Sequence, residues 1–83
     1  MSNEKYFGAT GAQREEIVKR HNIANTIYKT MSLKNKEVLY ETRRQITFCV
    51  QFGKLLTETQ IKEMLLCKSE FQVERKARTY KYA

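Results

Sequence analysis

QITFCVQF, Gln45 to Phe52, is rich in the branched and aromatic residues that favour strands, and its reading as strand or helix decides the fold of the chain. A half-buried strand needs strict alternation, which Thr47, Phe48, Cys49 and Val50 break. At about 100° per residue, by contrast, Val38, Leu39, Thr42, Ile46, Cys49, Val50 and Gly53 share one arc that continues upstream without interruption. The spacing predicts a helix over about Lys36–Lys54, with a strand as the alternative. Gly53 on that arc either permits a close crossing or ends the helix.

The same helix carries Tyr40, Arg44 and Phe48 on the stripe opposite its apolar arc. One explanation is that the first helix or the C-terminal tail covers this back face, with the Arg44 stem lying on apolar surface. The other is an interface with a second copy or another protein, because tyrosine, phenylalanine and arginine give large contact area at tolerable ordering cost.

Upstream, Thr10 and Gln13 have the spacing of a capping box, and a first helix is expected over about Gly11–Met31. Its inward stripe is Ile17, His21, Ala24, Tyr28 and Met31, widened by Val18 and Ile27. Ser32 interrupts it, and MSLKN is the expected turn. Downstream, Thr57 and Gln60 form a second capping box, and Leu56 and Ile61 can staple it. A third helix therefore starts there and buries Ile61, Met64 and Leu65. The end, SEFQVERKARTYKYA, reads either as a short strand through Phe71 and Val73 or as a helix presenting Arg75, Lys76 and Arg78.

The expected architecture is all-α: a small three-helix domain over residues 10–70, an N-terminal arm over 1–9 in which Tyr6 and Phe7 could anchor, and a basic C-terminal tail over 71–83 that is either a fourth short helix or a strand. With 83 residues, no proline and three glycines, the chain suits one domain built from uninterrupted helices. No fixed-period repeat occurs. No stretch reaches the roughly 20 apolar residues of a membrane span, and MSNEKYF lacks the order of a secretory signal. The expected location is the cytoplasm or another reducing intracellular compartment, where Cys49 and Cys67 act as small hydrophobes.

Sixteen lysines and arginines against nine glutamates give a formal net charge of +7, which attracts anionic partners at long range. The excess is concentrated in two places: Lys19, Arg20, Lys29, Lys34 and Lys36 occur with no intervening acid, and Arg75, Lys76, Arg78 and Lys81 crowd the tail. These nine residues are the candidate phosphate contacts for DNA or RNA. Tyr80 and Tyr82, flanking Lys81, could stack on unpaired bases or fold back as an apolar anchor.

Leu56–Thr79, LTETQIKEMLLCKSEFQVERKART, resembles the start of a helix-turn-helix DNA-binding segment over less than a third of the chain. Thr57, Gln60, Ile61 and Leu65 match its first helix, and the resemblance implies that Arg75 and Lys76 lie on a recognition helix entering the major groove. Lys62 stands where a small residue is usual, Leu66 where glycine is favoured, and Phe71 and Val73 depart from the core phase.

Catalysis finds little support. His21 falls mid-stripe and reads as a neutral core residue, and without any aspartate the chain offers no orienting acid for it. Glu15 and Glu16 suit the first turn of the first helix, with Glu15 able to pair with Lys19, while Glu37, Glu41, Glu58 and Glu63 read as solvated. No metal site, phosphate-binding loop or nucleophile elbow is legible. The expected function is a non-enzymatic regulatory protein that binds nucleic acid through phosphate contacts, needing no cofactor, membrane or small-molecule substrate. The alternative is a protein-binding regulator or inhibitor, or a self-associating module, that uses Tyr40, Arg44 and Phe48 against an acidic or apolar surface.

Overall fold

Every helix begins where a side-chain oxygen replaces a missing backbone acceptor. In the computed structural model, which describes residues 10–83, α1 spans Gly11–Thr30, α2 Lys36–Phe52, α3 Glu58–Leu65 and α4 Glu70–Tyr82. Thr10 and Thr57 form complete capping boxes: each hydroxyl accepts from the third amide at 3.1 Å, and the glutamine there returns to the cap amide at 3.0 Å. Asn35 Oδ1 accepts from Glu37 and Val38, and Ser69 Oγ from Gln72. These local bonds satisfy amides that have no partner within the helix.

Gln45–Phe52 is helical, so the strand reading is excluded, and the tail is helix α4 rather than a strand. The expected N-terminal arm with Tyr6 and Phe7 lies outside the described residues. Gly53 ends α2 in the left-handed region at φ 103°, while Lys54 donates to the Cys49 carbonyl at 2.8 Å. A Cβ at Gly53 would meet nothing within 4 Å, so only the backbone opposes substitution. Gly53→Ala is therefore expected to cost about 1 kcal/mol and lower the melting temperature by roughly 4–8 °C in a circular-dichroism melt.

α1 and α4 each pack on α2 and α3 and scarcely meet each other, so α2 and α3 separate them. α2 and α4 run in the same direction: Asn35 Nδ2 donates to the Lys68 carbonyl at their starts, and the Phe52 and Tyr82 rings meet at their ends. The core collects Ile17 and Ala24 from α1, Val38, Ile46, Cys49 and Val50 from α2, Leu56, Ile61, Met64 and Leu65 from the α3 region, and Val73 and Ala77 from α4. All are aliphatic or sulfur-bearing, and no ring enters.

Three expectations about burial are corrected. Val18 is exposed, because the buried stripe of α1 turns away from it toward Ala24. Glu41 is 5% exposed rather than solvated, since α2 is covered on both flanks. Glu15 and Glu16 lie beyond the first turn of α1, and the pair formed is Glu16 with Arg20. The buried Thr42 hydroxyl finds no protein partner. Thr42→Val removes a desolvated group at nearly constant shape and is expected to raise stability by up to ~1 kcal/mol, read as a higher urea midpoint.

Candidate interaction face on α2 and α4

Nine residues of the chain are aromatic, and two of them, Tyr6 and Phe7, precede the described residues. Of the seven others, only Tyr28 and Tyr80 are half-buried; Tyr40, Phe48, Phe52, Phe71 and Tyr82 are exposed. An aromatic ring offers 150–250 Å² of burial, roughly the largest hydrophobic gain a side chain can make. This fold leaves most of that gain unused.

Tyr40 is 70% and Phe48 41% exposed, so neither α1 nor the tail covers the stripe on α2, and the covered-face explanation is overturned. Arg44 joins the two rings. Its guanidinium lies 5.2 Å from the centre of the Phe48 ring and donates from Nη1 to Glu41 Oε1 at 3.3 Å. Glu41 is held in turn by Gln45, whose Nε2 donates to Oε2 at 2.6 Å. An otherwise flexible arginine is thus ordered before any partner arrives, which lowers the entropy cost of contact. Glu41 is the residue that sequence reasoning missed: its burial depends on elements packed around α2.

α4 carries a parallel stripe of Phe71, Arg75, Arg78 and Tyr82, at steps of four, three and four residues along one helix face. All four are exposed, Phe71 at 71% and Tyr82 at 67%. The spacing was legible in sequence as a helical stripe, but only once the tail was known to be helical. The two stripes meet at both ends. Phe52 and Tyr82 pack edge to face at 5.4 Å, with Lys81 Nζ 4.9 Å from the Phe52 ring, and at the other end Tyr40, Glu37 and Lys36 share a shallow cleft with Glu70.

The expected phosphate contacts do not converge. Lys19 and Lys29 are exposed on α1, and Arg75 and Arg78 on α4, with α2 and α3 between those helices. Arg20 is committed internally: Nε donates to the Leu56 carbonyl at 2.8 Å, and Nη1 reaches the Glu16 carboxylate and carbonyl. Lys34 caps the end of α1, donating to the Lys29 and Met31 carbonyls and lying 5.7 Å from the centre of the Tyr28 ring. Lys36 is exposed at the start of α2, and Lys76 is half-buried beside Cys67 and Tyr80. Tyr80 and Tyr82 diverge: the Tyr80 hydroxyl donates to Glu63 Oε1 at 2.6 Å, whereas Tyr82 stays outside on Phe52.

α3, the four residues Leu66–Ser69 and α4 keep the order that the helix-turn-helix resemblance implies. Arg75 is exposed there and Lys76 only partly so, while α4 lies along α2 for its length.

The remaining reactive groups are tied to structure. His21 Nε2 donates to the Arg43 carbonyl at 2.8 Å and lies 3.1 Å from Thr47 Oγ1, linking α1 to α2. Burial raises the Cys49 thiol pKa despite Lys81 and Lys54, and raises that of Cys67 despite Lys76. Both sulfurs are free and favour the protonated form. Burial, and then the bond to Glu63, raise the Tyr80 phenol well above its usual range. Among the described residues no group of three His, Cys or Glu side chains could hold a metal ion, and no helix is long and apolar enough to cross a membrane. No protein-family model matches the chain, and no curated protein or solved structure matches it.

Proposed function

We propose that the chain is a non-catalytic binding domain whose docking surface is the joined outer face of α2 and α4, and that its partner is a protein surface with apolar and acidic groups. The observation that carries this reading is the expulsion of aromatic rings from the core onto a face where Arg44, Arg75 and Arg78 stand among them. Such a face can bury rings against apolar surface while its guanidiniums meet carboxylates. Glu37 and Glu70 at the Tyr40 end favour a protein of mixed charge over a continuous phosphate backbone, which both would repel. The net charge of +7 opposes close approach of two identical chains, which favours a different protein over a second copy.

Affinity capture from the native cell, with and without nuclease, tests the reading. A discrete protein retained after nuclease supports it, provided that variants of the face lose that protein; loss of all capture after nuclease overturns it. Sedimentation across a concentration series is expected to give the monomer mass throughout, and a concentration-dependent dimer would make a second copy the occupant.

One observation favours nucleic acid as a second reading: Arg75 and Arg78 lie between exposed Phe71 and Tyr82, an alternation suited to stacking unpaired bases beside their phosphates. This reading requires affinity for a labelled single strand that falls steeply with salt. Salt-insensitive or absent binding removes it.

A further inference from the structure

We infer that the pole of the bundle away from Gly53 is a binding site for a long-chain carboxylate. A half-open cleft of about 760 Å³ lies there, between the end of α1, the loop before α2, and the α3–α4 turn. That volume is within the range of sites that hold small apolar ligands, roughly 300–1,000 Å³. Ile27, Met31, Leu65 and Leu66 supply apolar lining, and Leu33, the most exposed large hydrophobic residue among those described, stands at the rim. Shielding these groups from water needs a ligand with an alkyl portion.

The rim determines the other end of the ligand. Lys34, Lys62 and Lys68 line the cleft, and none of its lining residues is acidic. Lys34 is engaged with the last carbonyls of α1, where it offsets the negative end of that helix dipole, which would otherwise repel an anion. Lys62 and Lys68 are exposed and remain to receive the head group. Two ammonium groups without a guanidinium suit a compact single charge, whereas a phosphate would favour the bidentate fork of arginine. Asn35 holds the two sides of the cleft together through its 3.3 Å bond to the Lys68 carbonyl. The site is therefore present before a ligand binds.

Dodecanoate below its micellar concentration is the probe, followed by amide chemical shifts of the full chain. Saturable shifts confined to Ile27–Asn35 and Lys62–Lys68 are expected, with affinity rising at least fivefold from decanoate to dodecanoate as two further methylenes are buried. Lys62→Glu with Lys68→Glu is expected to weaken binding by more than tenfold. Lys19→Glu with Lys29→Glu makes the same change in net charge on α1 and is expected to have less than a threefold effect. Equal loss in the two double variants would show mere attraction to a basic chain and overturn the proposal. Equal affinity for dodecanol would do the same by removing the carboxylate. If dodecanoate gives no saturable shift while a Leu- and Glu-rich helical peptide shifts the same amides, the cleft is a peptide groove instead. Because neither double variant touches α2 or the outer face of α4, these outcomes are independent of the proposed protein-binding face.

Discussion

Ile46→Ala is expected to destabilise the protein by about 3 kcal/mol and to lower its melting temperature by roughly 12–24 °C. Ile46 is among the largest fully buried side chains and belongs to α2, the helix that packs on all the others. Truncation loses the transfer energy of its methyl and methylene groups and leaves a cavity that rigid neighbours fill only in part. The core contains no aromatic residue, so each aliphatic side chain carries a large share of the burial. A chain of this size holds a total stability of only about 4–12 kcal/mol, and the variant loses a quarter or more of it. Thermal and urea unfolding followed by circular dichroism measure the effect. A fall of less than about 5 °C would show that Ile46 does not occupy the interior, and with it the α2 arc would be misassigned.

Two residues farther along the same helix the expected result reverses. Tyr40→Ala with Phe48→Ala should leave the helical signal unchanged and cost less than about 1.5 kcal/mol, because both side chains already meet water and only the Phe48 contact with Arg44 is lost. Capture of a protein partner should nevertheless collapse. Aromatic residues at the centre of an interface commonly contribute 2 kcal/mol or more each, so the pair is expected to weaken affinity by roughly a thousandfold if their effects add. Arg44→Ala should act in the same direction, since the arginine held between Glu41 and Phe48 is already ordered for contact. The readout is retained partner per mole of folded protein, with melting temperature measured on the same samples. Unfolding of the double variant would return the rings to the core, and undiminished capture would remove this face from the function.

The contrast between Ile46 and Phe48 also marks how far the site could be read in advance. That Tyr40, Arg44 and Phe48 form a stripe follows from helical spacing alone. That the stripe faces water depends on where α1 and α4 settle, and both take the opposite flanks of α2. The stripe on α4 needed one further step, the knowledge that the tail is helix, which Phe71 and Val73 obscured by alternating like a strand. Arg20 and Lys34 show the opposite error. In sequence they belong to an acid-free basic cluster, yet one is spent on the Leu56 carbonyl, 36 residues away, and the other on the end of its own helix.

The sequence by itself determined the helix starts at Thr10 and Thr57, the continuous arc of α2 and the absence of a ring from that arc, because caps and periodicity act between residues three or four apart. Tertiary structure alone decided that Gly53 ends a helix, that Glu41 is buried, that the basic residues of α1 and α4 are kept apart, and that five rings stay outside. Those outcomes depend on which surfaces different helices remove from water, and side chains far apart in the chain settle that only when the helices pack.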